Sequence, residues 1–448
     1  MRKIADRQLT FPLHPMNSKS NRKWQVISRM LDDNPGIARL VWRDLTIGED
    51  GTPVADTGAN GMTADQVLRF ALVMMCESLA YRKLQERVED SITLRAFCRV
   101  EFEEVPSFTT LNDNVRKLRP ATLKAINDIV VLYAKELKIE DGSQVRIDTT
   151  AVESNIHYPL DSRQLSDTVR VVARILQDLR RRRPELELRF HDHTRSAKKL
   201  LYKISNARGM KKKKPLYRKL VKLARLTSGY GKDAAELLRS ARLEPAVLCA
   251  LDEFCCLAEA VIEQTERRVF HGESVPANEK VLSIFEPHAY VIKKGQREPA
   301  YGHKVCFTGG KSNLILDCHI LQGNPADTDE FIPALERHAD LYGKVPARVA
   351  ADGGFTSKLN GRDAKGMGVG DIAFSSLKGN KLCELIESER LYKQMRKWRA
   401  GIEGVISTAK RAYGLSRCTW KGLKSFKAYV HLGVLAFNLV TLARHLMN

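Results

Sequence analysis

A chain of 448 residues exceeds one small domain and by length suggests about three, with a hydrophobic fraction of 43% that is enough for real cores and a charged fraction of 28% close to the globular average. Lys and Arg outnumber Asp and Glu by 74 to 53, a net charge of +21 that points to a polyanionic partner, because each phosphate neutralised releases condensed counterions; other basic classes, membrane-surface proteins among them, share the feature, so charge alone does not name the partner. Nine cysteines, an odd number with no C-x-x-C pair, exclude a disulfide framework and a zinc ribbon and fit buried thiols in a reducing compartment.

In chain order, Trp24, Ile27, Met30 and Leu31 set out a first helix, followed by turn-rich sequence around Gly48, Gly51, Pro53, Gly58 and Gly61. Thr63 and Gln66 form a capping-box signature ahead of a helical stripe from Val67 to Met75. Further helices are expected near 81–98, 108–118 and 121–137. The second of these opens after Ser107 and presents Asn112, Asn114, Arg116, Lys117 and Arg119, side chains suited to phosphate or base-edge contact from a helix in a major groove. A solvated helix face accounts for the same residues.

Val145-Arg-Ile-Asp148 then reads as a short strand ending in an acid. A long helical interruption follows: Leu165, Val169, Val172, Leu176 and Leu179 lie on one stripe, and segments 197–206, 215–227, 233–240 and 246–268 repeat the period. It carries the densest positive runs, Arg180–Arg183 and Lys211–Lys214. Arg181, Arg182, Lys212 and Lys213 are candidate phosphate-backbone contacts within them, with solvated surface as the alternative. Strands are expected at 301–307 and 314–321 around the turn Thr308–Asn313, a helix over 329–341, strands at 348–352 and 371–374, and helices from Cys383 through Lys410 and from Ser425 to His445. The order predicts an α/β fold: a mixed five-stranded sheet with flanking helices, a helical N-terminal part, and a large all-helical insertion after the first strand.

Asp148 and Asp352 each end a predicted strand, followed by Thr149-Thr150 and by Gly353-Gly354. Functional groups collect beyond the carboxyl ends of strands, although a single such Asp more often just caps its loop. The segment Arg399-Ala-Gly-Ile-Glu403 through Lys410 places Arg399, Glu403 and Lys410 on one helix face, beside the apolar Ile402, Val405, Ile406 and Ala409. A surface salt-bridge ladder explains those charges but not Gly401 and Gly404, since glycine costs a helix about 1 kcal/mol relative to alanine. Small residues beside one acid imply a close approach there, by a substrate or by the sheet. Gly309-Gly310-Lys311-Ser312 ends like a phosphate-binding loop but lacks the first glycine and precedes a strand, so it is rejected. His191-Asp192-His193 has no third metal ligand at a recognisable spacing, and Trp398 and Trp420 fit core packing better than base stacking.

Asp148 in RIDTTAVESN, Asp352 in VAADGGF and Glu403 in the Arg-x3-Glu-x6-Lys pattern resemble the DDE triad of bacterial insertion-sequence transposases with an RNase H-like core. Three residues before the arginine, where the family often has tyrosine, this chain has Arg396, with Tyr392 one turn earlier. The stretch 63–120, with SFTTLNDNVRKL, is similar to the helical domain that precedes this catalytic core. The resemblance implies a division into 1–62, a helical and turn-rich segment; 63–140, a helical DNA-binding domain; 141–164 with 290–448, the RNase H-like core; and 165–289, the insertion. It further implies two Mg²⁺ ions, replaceable by Mn²⁺, held by Asp148, Asp352 and Glu403, and DNA-backbone contacts by Arg399 and Lys410. Double-stranded DNA, both terminal inverted repeats and target, is the expected partner, with a homodimer joining two ends. No nucleotide cofactor and no membrane association are expected. The N-terminus has no apolar signal-peptide segment, the apolar stretch 429–443 reads as a buried helix, and a cytoplasmic location is expected. A stand-alone RNase H-like nuclease and a non-catalytic DNA-binding descendant of a transposase are the alternatives.

Overall fold

The computed structural model describes residues 3–4, 19–48, 50–53, 61–100, 103–293 and 298–447; Gly58 and much of the predicted 1–62 segment lie outside them. The chain forms two compact units, Met1–Glu153 with His303–Asn448, and Ser154–Gly302.

The first unit begins with α1 (Lys19–Asp33), α2 (Gly36–Thr46), α3 (Ala64–Cys76), α4 (Tyr81–Glu89), α5 (Ile92–Phe97), α6 (Phe108–Val115) and α7 (Pro120–Glu136). The Thr63 side chain accepts from the Gln66 amide and the Gln66 side chain from the Thr63 amide, a full capping box that fixes where α3 starts. Arg69 interrupts the apolar stripe of α3 yet is fully buried. Asp65 at 2.8 Å and Asp32 at 2.7 Å neutralise it, so the charge ties α3 to α1. Strand β1 (Gln144–Glu153) follows.

The second unit is a helical assembly of α8 (Asp161–Arg182), α9 (Thr194–Asn206), α10 (Met210–Ala241) and α11 (Pro245–Thr265). The segments 215–227 and 233–240 are one continuous helix, not two. Of the two glycines in α10, Gly231 serves packing: a Cβ on it would lie 2.6 Å from Cys255 Sγ and 3.0 Å from Val172 Cγ1, so its absence lets α8 and α11 close on α10. Strand β2 (Tyr290–Ile292) pairs antiparallel with Ala300–Gly302 at the start of β3 (Ala300–Gly309).

In the first unit β3 turns back antiparallel into β4 (Ile315–Ile320). After it come α12 (Asp327–Tyr342), β5 (Arg348–Ala351), α13 (Lys358–Gly366), β6 (Asp371–Phe374), α14 (Leu382–Leu385), α15 (Glu389–Arg399), α16 (Gly401–Ala412) and α17 (Leu423–Met447). The strand order is β2-β3-β1-β5-β6, with β4 also paired to β3, and β1, β5 and β6 run parallel. The sheet is therefore mixed but six-stranded, where five strands were expected; β2 spans only three residues, too few for alternation to show in sequence. Helix α17 is apolar enough by composition to cross a membrane, but 89% of its most apolar window is buried within the protein. It packs on α7, α1 and α3. Its Asn438, fully buried, brackets Ile315 of β4, accepting from the amide at 2.8 Å and donating to the carbonyl at 2.7 Å. That polar clamp fixes β4 against the core helix.

Candidate active site

The parallel ladder between β1 and β5 ends at the pair Ile147–Ala351. Asp148 and Asp352 are the next residue on each strand, so the register brings two acids 204 positions apart in sequence to the same level on neighbouring strands, which lie about 4.8 Å apart. Asp352 leaves β5 into the turn Gly353–Phe355, as expected. Asp148 does not end its strand. β1 runs on to Glu153, whose backbone bonds Ser416 and Cys418, and what stops after Ile147 is only the pairing with β5.

The helix expected from Cys383 through Lys410 is broken twice, after Leu385 and at Ala400, and the third acid arrives on its last piece. Arg399 ends α15, and Glu403 and Lys410 ride on α16, where a single helix was expected. A side chain of β1 packs against this junction. Arg146, buried two residues before Asp148 and on the same strand face, donates from Nη1 to the Trp398 carbonyl at 2.9 Å and stacks over the Trp398 ring. Gly401 completes the arrangement, because a Cβ there would lie 2.2 Å from Arg146 Nη1. The close approach inferred from the glycines is thus made by the sheet at Gly401. Gly404 has nothing within 4 Å of a built Cβ and faces open space.

Ala400 itself keeps helical dihedrals, so the four-residue spacing survives the break and Arg399 Nη2 reaches Glu403 Oε1 at 2.9 Å. The other guanidinium nitrogen, Nη1, lies 3.8 Å from Asp148 Oδ2 and 3.7 Å from Asp352 Oδ1. One arginine, 13% exposed, therefore binds all three acids, while Asp352 and Glu403 remain open to solvent at 49% and 62%. Among the described residues no three His, Cys, Asp or Glu side chains stand close enough together to hold a metal ion as they are. What gathers the acids is the guanidinium.

Two further side chains support this centre. Asp327, at the start of α12, accepts from Thr149 Oγ1 at 2.8 Å and pairs with the buried Lys304 at 2.7 Å. A Cβ on Gly354 would lie 2.6 Å from Asp327 Oδ2, which accounts for the second glycine after Asp352. Asp327 was not singled out in the sequence, where it is one of three acids opening a helix. Arg146 gave no signal in sequence, because alternation places it with Gln144 and Asp148 on the polar face of the strand, opposite Val145 and Ile147. Burial pushes its pKa down, offset by Glu140 nearby.

The remaining candidates are dispersed. Asn114 is buried and donates to the Thr110 carbonyl, Arg116 donates to Ser425 Oγ at 3.0 Å, and Arg119 binds the carbonyls of Ile47 and Gly48. Asn112 is half-buried and Lys117 exposed. Arg181 and Arg182 pair with Asp178, and Arg182 also with Glu244, whereas Lys212 is exposed and Lys213 half-buried. Tyr392, buried, donates its hydroxyl to the Phe374 carbonyl at 2.8 Å and so fastens α15 to β6. In the turn rejected as a phosphate loop, the buried Glu140 carboxylate receives the Ser312 amide at 2.8 Å and hydroxyl at 2.6 Å and leaves no room for a Cβ on Gly310.

Two family comparisons bear on this geometry. Residues 15–117 match the family described as Transposase domain (DUF772). Residues 372–443, which contain Arg399, Glu403 and Lys410, match the Transposase DDE domain. Together the two matches support recognition of the chain as a DDE transposase of the insertion-sequence type. No curated protein and no solved structure matches the chain.

Proposed function

We propose that the chain cuts the DNA strands at the ends of an insertion sequence and joins them to target DNA, using Asp148, Asp352 and Glu403 as one catalytic centre on an RNase H-like core. The observation that carries this reading is the convergence of all three carboxylates on Arg399. In the first step water attacks the phosphorus at the element's end and the P–O3′ bond breaks, leaving a 3′-hydroxyl and a 5′-phosphate. In the second, that hydroxyl attacks a target phosphorus and displaces a second 3′-oxygen. Two ends must be joined, so the active species is a homodimer on duplex DNA.

Three carboxylates are the hard oxygen donors that Mg²⁺ or Mn²⁺ takes, and a place that already accommodates one positive group suits another. Asp148, Asp352 and Glu403 would hold the metal once Arg399 turns out. When bound, divalent ions lower the pKa of the attacking oxygen and stabilise the leaving one. The protein's own contributions are separate. Arg146 fixes the angle between β1 and the helix that carries Glu403, and Asp327 holds Thr149 beside Asp148. Arg399, released from the acids, pairs with a backbone phosphate, as does Lys410 two turns beyond Glu403.

The test is strand cleavage of a duplex carrying the inverted repeats that flank the gene, with Mg²⁺ present. Asp148→Asn, Asp352→Asn and Glu403→Gln are each expected to lower cleavage a hundredfold or more while DNA affinity stays within a few-fold. A pre-cleaved end presented with target duplex should be joined to it. Cleavage without joining would leave a stand-alone nuclease, and undiminished cleavage in any of the three variants would remove that acid from the centre.

A further inference from the structure

The forty residues between Asp192 and Asp233 contain fourteen Lys or Arg and no acid. They form α9 and the larger part of α10, which pack on each other within the second unit through Ala197, Ile204, Tyr217, Leu220 and Val221. Burial of that apolar seam turns the cations outward. Lys198, Lys199, Lys203, Lys211, Lys212 and Lys219 are all exposed, and among the described residues none of them meets a carboxylate. Within this stretch ion pairs occur at Arg225 and Lys232, toward its end.

The other basic run behaves differently. Arg181 and Arg182 are neutralised by Asp178 and Glu244, and Arg183 also reaches Glu244. Equal density of charge in sequence therefore becomes one internally balanced region and one unbalanced region. The unbalanced charge opposes folding, since like charges repel and Lys211–Lys214 open α10, where the helix dipole disfavours cations. No side chain caps that helix start. A polyanion laid along the two helices relieves both penalties at once.

We propose that α9 and the first half of α10 form a sequence-independent binding surface for the phosphate backbone of duplex DNA, carried by the second unit alone. The choice of DNA over other polyanions rests on the transposase reading; the surface itself does not. Lysines dominate it, and flexible point charges suit backbone contact without base readout. Tyr202, 72% exposed, is the one large aromatic side chain standing free on α9, too little for a stacking platform that would select single strands.

The test uses the full chain and a random-sequence duplex, with affinity measured from 50 to 200 mM KCl in the absence of divalent metal. In the variant Lys198→Gln/Lys199→Gln/Lys203→Gln/Lys212→Gln, the slope of log affinity against log salt is expected to shrink by about 3 to 4, near 0.9 per lost phosphate contact, with at least tenfold weaker binding at 100 mM. Arg170→Gln/Arg239→Gln removes two ion-paired cations from the same unit and should change the slope by less than 1. Thermal unfolding of both variants within a few degrees of the native chain excludes loss of fold. An unchanged slope in the quadruple variant overturns the proposal, as does native binding to phosphatidylglycerol vesicles without binding to duplex. No step needs cleavage, so an inactive acid centre would leave this result intact, and a flat slope would leave the cleavage result intact.

Discussion

At the scale of single residues, the two glycines around Glu403 have different causes, and their substitutions should part company. Gly401→Ala drives a Cβ into the buried Arg146 guanidinium and is expected to cost about 1–3 kcal/mol, with cleavage falling because the helix bearing Glu403 shifts. Gly404→Ala meets open space and should stabilise the chain by up to about 1 kcal/mol through helix propensity. Chemical denaturation of the two variants checks both signs. The sequence exposed the need for a close approach near Glu403 but not its partner: Arg146 lies 255 residues before Gly401, and only the fold reveals that its fork reaches the Trp398 carbonyl. The same holds for Arg399. Its spacing from Glu403 was legible, while its contact with two aspartates on separate strands depends on sheet register.

At the scale of elements, periodicity located most helices and five of the six strands, because each buries one clear stripe. It failed where a tertiary contact overrides local pattern. The helix break at Ala400 falls where a strand side chain reaches the Trp398 carbonyl, and α10 runs uninterrupted through Gly231, where α8 and α11 pack closely against it. β4 illustrates a further limit. Its run Ile315–Ile320 was readable as a strand, but the clamp that holds it is a polar residue in the most apolar helix of the chain. Asn438→Leu leaves the Ile315 amide and Asn127 without their buried partner and is expected to cost about 2–4 kcal/mol, measurable by urea denaturation.

At the scale of the whole molecule, stability and charge are tuned separately from the site. His338, 2% exposed and stacked on Tyr342, has its pKa pushed down to about 4 by burial. The folded value lies below the ordinary 6.5, so on acidification the unfolded chain takes the proton first. The stability this neutral ring supports is intact above about pH 6.5 and is lost as pH falls toward 4, roughly 1.4 kcal/mol per pH unit and about 2 kcal/mol by pH 5. Denaturation at pH 7 and pH 5 should show that loss, and His338→Gln should reduce it.

On the proposed function the three acids form one cation-binding centre that Arg399 fills, and calorimetric titration with Mn²⁺ in the absence of DNA tests that most directly. Removing a guanidinium within 4 Å of all three carboxylates should raise affinity roughly ten- to a hundredfold in Arg399→Ala, and the gain should vanish in Arg399→Ala/Asp352→Asn. Equal Mn²⁺ affinity in the native chain and Arg399→Ala would contradict a shared centre.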